Sequence, residues 1–208
     1  MTEKKFSEKE SLELISQMIE SSKEHWELGG AKAMLIYGYS TVFLSLLVYL
    51  LLYFTHEPLC WVLWVLMFVP DLVMRLTKKH REPKVKTHVD KMIRQMWQVL
   101  GSLFGLTFVT IGLLSFVVGQ ADMLLMLPLS LLYAGIGISI MGIALREPVM
   151  VVLPFVGFVV SIYMLMVMVS PTQPSIEWNL YFGFSFLLMM VIPAHLLYRK
   201  RDKVCFKN

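Results

Sequence analysis

Three side chains could do chemistry within an apolar setting: Asp71, Arg75 and His195. An ionisable group inside a membrane span is costly, and is a functional candidate by default. Asp71 follows Pro70 and Arg75 lies four residues on, a spacing that lets the two pair on one helix face. His195 follows Pro193 and precedes Arg199 by four. If Asp71 and His195 met across a helical bundle, they would form a titratable pair at one end of a solute path. The competing reading is a boundary ion pair, Asp71 with Arg75, and a boundary histidine bonded to backbone freed by Pro193. Both residues fall only about 6 Å along a helix from the nearest basic residue, a depth that favours the boundary reading.

Other chemistry finds little support. There is no GxSxG, HExxH, P-loop or CxxC, so no catalytic residue is expected and the chain reads as a non-enzyme without cofactors. His56-Glu57 is too small a set to ligate a metal, and the five histidines are scattered. Of 16 methionines, Met164 and Met168 share a helix face but Met166 does not, which points to apolar packing rather than a soft-metal path. Cys60 and Cys205 are expected on opposite sides of a membrane, which leaves two thiols or an intermolecular bridge through Cys60.

The elements that must position these groups follow from composition. The chain has 208 residues, 57% hydrophobic and 16% charged, with a mean hydropathy of +0.65, against about 25% charged in soluble domains. Six apolar runs approach the roughly 20 residues needed to cross a bilayer: 34–55, 58–76, 97–118, 123–145, 149–170 and 180–198. They lack strand alternation, so the expected fold is an all-α membrane protein, a six-transmembrane-helix bundle built as three hairpins. With these spans, all 19 Lys and Arg fall before the first run, in loop 77–96 and its flanks, at Arg146 or in the tail 199–208. The positive-inside rule then puts both termini in the cytoplasm.

Residues 1–33 read as a cytoplasmic amphipathic helix and linker. Ser7 and Glu10 form a capping box, and Leu12, Ile15, Ile19, Ser22 and Trp26 recur at alternating spacings of three and four. Met1 to Glu27 holds four Lys and seven Glu, a balance of −3, which disfavours anionic lipid. The connection after the second run has eight basic residues against Glu82 and Asp90, with Val85, Val89, Met92 and Met96 on one helical stripe. Two oppositely charged amphipathic helices on one side imply mutual docking, separate partners, or a polybasic loop lying on anionic lipid headgroups; direct nucleic-acid binding is not expected, since the basic patch lacks interleaved aromatics. Gly101 and Gly105, and Gly135 with Ser139 and Gly142, are small residues suited to close helix packing, first of all third span on fourth, with homo-oligomerisation or a solute path as alternatives.

The stretch Glu10-Ser11-Leu12-Glu13-Leu14-Ile15, followed by Tyr37-Gly38-Tyr39 at the first span, resembles small uncharacterised multi-pass inner-membrane proteins of Bacteroides-type bacteria. The resemblance covers about the first 80 residues and carries no catalytic signature. It implies a bacterial inner membrane, a regulatory role, and a winged-helix regulator as a partner. The residues therefore lead to a regulatory or accessory membrane protein that docks a protein partner through Leu12, Ile15, Ile19 and Trp26. A small oligomeric transporter using Asp71 and His195 is the alternative.

Overall fold

The computed structural model describes residues 8–77, 88–119, 123–170 and 175–205; for 8–29, 201–205, Asp71 and Arg75, among others, it describes the backbone alone. The described chain is helical and contains no strand. In order come α1 (Glu8–Thr55), a 3-10 helix (Pro58–Phe68), α2 (Val69–Thr77), α3 (His88–Val118), a 3-10 turn (Met123–Leu125) and α4 (Met126–Leu145). After these follow α5 (Pro148–Val152), α6 (Pro154–Val169), α7 (Trp178–Phe186), a π-helical turn (Leu187–Val191) and α8 (Ile192–Cys205). Five helices are long and apolar enough to cross a membrane: Gly30–Thr55, Lys91–Val117, Met123–Leu145, Pro148–Val169 and Trp178–Arg199. Together they indicate a membrane protein.

Two elements differ from the sequence reading. The expected linker before residue 34 is absent, because α1 runs unbroken from Glu8 to Thr55 through Gly29 and Gly30. Glycine costs a helix about 1 kcal/mol, a penalty that long helical flanks without proline can absorb. The second apolar run is the larger departure. Instead of one α-helix over 58–76 it forms eleven residues of 3-10 helix, then α2 with Pro70 in its first turn, where proline's missing N–H costs least. Trp61, Trp64 and Met67 are spaced by three, and in a helix of three residues per turn they form one straight stripe. That stripe packs on Leu44, Val48 and Leu52 of α1, while Val62, Val65 and Phe68 are exposed.

The last span, α7 through α8, is the core of the bundle: 56% of its apolar window is buried, against 33% for α1 and 6% for α3. It packs on α1 and α6, and α4 packs on α3, α5, α6 and α7. The main cluster joins Ala31 and Met34 of α1, Leu131 and Ile138 of α4, Met164 of α6, Trp178, Phe182 and Phe186 of α7 and Met189 of the π turn. Met164 and Met189 are fully buried and pack in this cluster, while Met166 faces outward. Ser161 Oγ donates to the Pro128 carbonyl at 2.7 Å, tying α6 to α4.

The α4–α5 turn is a Schellman motif. Glu147 N–H donates to Gly142 O at 2.9 Å and Arg146 N–H to Ile143 O at 3.2 Å, with Arg146 at φ 58°. A left-handed conformation costs a non-glycine residue about 1 kcal/mol or more. Arg146→Gly is therefore expected to raise stability by about 1 kcal/mol, read as a higher midpoint of thermal unfolding in detergent.

Candidate functional site

The polar side chains of the bundle gather along the seam between α1 and the last span. Three contacts show that the pair is antiparallel. As α1 advances from Gly38 and Tyr39 to Ser45, its neighbours retreat from Val191 and His195 to Gly183 and Asn179. A Cβ on Gly38 would lie 2.7 Å from Val191 Cγ2, and one on Gly183 would strike Ser45. These two glycines allow the close approach.

At one end of the seam, Tyr39 OH and His195 Nε2 are 3.4 Å apart and the rings meet edge to face. His195 Nδ1 lies 2.9 Å from the Val191 carbonyl, one turn back on the same segment. The π turn ends two residues before Pro193, and Ile192 N–H donates to Leu187 O, five residues back. Proline has no N–H for the Met189 carbonyl, and its ring crowds that position, so the widened turn accommodates the break. His195 thus bonds to local backbone, but at Val191 rather than at the carbonyl deprived by Pro193.

Among the described side chains, the partner of His195 is Tyr39. The Asp71 and Arg75 side chains lie outside the described residues, as do those of Leu12, Ile15, Ile19 and Trp26. The sequence offered Tyr39 only as part of Tyr37-Gly38-Tyr39 at the first span. What could have found it is its place in an antiparallel register, which one sequence does not reveal.

Further along the seam the groups are neutral and deeply buried. Ser45 Oγ donates to the Asn179 carbonyl at 2.5 Å, and Asn179 Nδ2 donates to the Ile176 carbonyl at 3.1 Å. Trp64 packs edge-on against Phe182 with centroids 5.0 Å apart. Asn179 Oδ1, Trp64 Nε1 and Ser139 Oγ are buried without a hydrogen-bond partner. Thr41 Oγ1 donates to the Tyr37 carbonyl at 2.8 Å and lies 3.4 Å from Met67 Sδ, linking α1 to the 3-10 helix.

The small residues divide. Gly135 receives Phe158 of α6, and a Cβ on Gly142 would collide with Met150 at the start of α5. Gly101 and Gly105 meet nothing within 4 Å. Packing of α3 on α4 instead runs through Gly137, where a Cβ would lie 2.8 Å from Leu100 and 2.9 Å from Trp97, and through a 2.9 Å bond between Thr107 and Tyr133. Among the described residues no three His, Cys, Asp or Glu side chains gather into a metal site.

The seam also has a continuation in register. Residues of α1 buried in the bundle include Ala31, Met34, Gly38, Thr41, Ser45, Val48 and Leu52, alternating by three and four. Counted back along the same helix, that register falls on Glu27, Glu24, Glu20, Gln17, Glu13 and Glu10. α8 runs the other way and carries Arg199, Lys200, Arg201 and Lys203 beyond His195. No family model, curated protein or solved structure matches this chain.

Proposed function

We propose that the chain is a six-span inner-membrane protein of bacterial type, both termini cytoplasmic, acting as a non-enzymatic regulatory or accessory subunit. A partner would dock on the cytoplasmic part of α1 and on the basic connection between α2 and α3. The supporting observation is the continuity of α1. Its 48 residues make a rod of about 72 Å, more than twice the roughly 30 Å hydrocarbon core. Whatever binds residues 8–29 therefore pulls on a helix seated against α7, the π turn and α8. A π turn next to a proline is a place where a helix can change pitch, so load on α1 has an element to act on.

The six-span reading is supported by the length of the second apolar segment. Eleven residues of 3-10 helix followed by nine of α2 extend about 35 Å, enough to cross. With six spans all 19 basic residues share one side. The transporter alternative rests on Asp71 and His195 as a relay, and the Asp71 side chain lies outside the described residues.

Deleting residues 1–29 tests the reading. The truncated protein is expected to insert and to keep the thermal stability of the full chain, yet to lose the partner retained by the full chain in mild detergent. Asp at Leu12, Ile15 and Ile19 together should have the same effect. Full retention of the partner by both variants refutes docking through α1.

A further inference from the structure

We infer that the partner on the Leu12–Trp26 stripe is a second copy of this chain, and that two α1 helices form one parallel seam continuing from the cytoplasm into the membrane. This deepens the docking reading and rests on it. Leu12, Ile15, Ile19, Ser22 and Trp26 occupy alternating positions of a seven-residue repeat. Because α1 is unbroken, the same count continues through Gly29, Ala33, Ile36, Ser40, Phe43, Leu47, Leu50 and Phe54. Within the described side chains this stripe faces away from the bundle: Ile36 is 44% exposed, Phe43 67%, Leu50 41% and Phe54 75%, while Ala33, Ser40 and Leu47 are partly exposed.

The stripe crosses two solvents, and this selects the occupant. Lipid can cover Ile36 to Phe54, but the first two heptads lie before Gly30, outside the apolar window. A soluble partner can cover Leu12 to Trp26, but not the part beyond Gly30, where the apolar window begins. A single occupant of the whole stripe must be a helix with the same repeat on both sides of the boundary. A second α1, related by a two-fold axis along the membrane normal, meets that condition at every position.

Charge and size agree. The Glu-rich register, Glu10, Glu13, Glu20, Glu24 and Glu27, is the one that continues from the bundle-facing side of α1, off the proposed seam. Flanking positions place Ser11 with Ser16, Met18 with Lys23 and His25 with Gly30 across a parallel pair, with no like-charged acidic or basic pair. Gly29, Ala33 and Ser40 are small where the seam enters the apolar window, which allows close backbone approach.

The test is disulfide scanning of the full chain in native membranes, with Cys60→Ser and Cys205→Ser as background. Single cysteines replace Ile15, Ile36 or Phe43 on the seam, and Gln17 or Val42 off it. Oxidation is expected to give a covalent dimer for the three seam variants and none for the two others. Dimer at Ile15 alone, at Gln17 or Val42 as readily as on the seam, or at no position overturns the inference. Two differently tagged copies, co-purified with and without residues 1–29, separate the two readings. Loss of a different protein on truncation, with no self-association, leaves docking intact and refutes the second copy; no loss of any partner refutes docking itself.

Discussion

Gly142→Ala is expected to destabilise the protein by about 1–3 kcal/mol, the usual range for forcing volume into a packed site. The added methyl would lie 2.8 Å from Met150 Cβ, 2.9 Å from the Met150 carbonyl carbon and 3.0 Å from Val151 N. Two of those three atoms are backbone, so no rotamer change can clear the space. Nor can α5 easily move, because the Glu147 N–H to Gly142 O bond and the left-handed Arg146 fix the turn that delivers it. Gly101→Ala and Gly105→Ala are the controls: with nothing within 4 Å of either added Cβ, each should be neutral or slightly stabilising through helix propensity. Thermal unfolding in one detergent reads all three. A Gly142→Ala protein as stable as its parent would mean that α5 is not seated on α4.

The contrast between Gly142 and Gly101 shows where sequence reasoning stops. Small residues at spacing four mark a helix face that can be approached closely, but two helices must then choose that face. On α4 the faces of Gly135 and Gly142 are taken by α6 and α5. On α3, Gly101 and Gly105 point to open space, and contact with α4 is made by Trp97 and Leu100 over Gly137. Which face is chosen depends on tertiary arrangement, and a single sequence does not encode it locally.

Other features were legible because they rest on properties of one helix. Apolar length marked six runs, and five of them are seen as helices long and apolar enough to cross a membrane. The opposite facing of Met164, inward, and Met166, outward, followed from spacing. The helical stripe read at Val89, Met92 and Met96 lies in one helix with the third span, His88–Val118. His195 was singled out by its cost in an apolar run, but its partner Tyr39 lies 156 residues away in sequence. Pairing across that separation is invisible to periodicity.

Trp64→Ala is expected to cost about 3 kcal/mol, and Val65→Ala less than about 0.5 kcal/mol. The difference follows from the 3-10 geometry. In an α-helix, residues three apart drift about 60° per step, so Trp61, Trp64 and Met67 would smear around the helix; at three residues per turn they stay aligned. Trp64 then packs on the α1 cluster of Leu44, Val48 and Leu52 and on the ring of Phe182, whereas Val65 is 55% exposed. Trp64→Phe divides the effect further. It keeps an aromatic ring for the edge-on contact at Phe182 and removes the buried Nε1–H that has no acceptor, a group whose burial costs about 1–3 kcal/mol. Phe should therefore lose much less stability than Ala. Equal losses for Trp64→Ala and Val65→Ala would show that this segment has no preferred face, and hence that its period-three stripe does not hold it to α1.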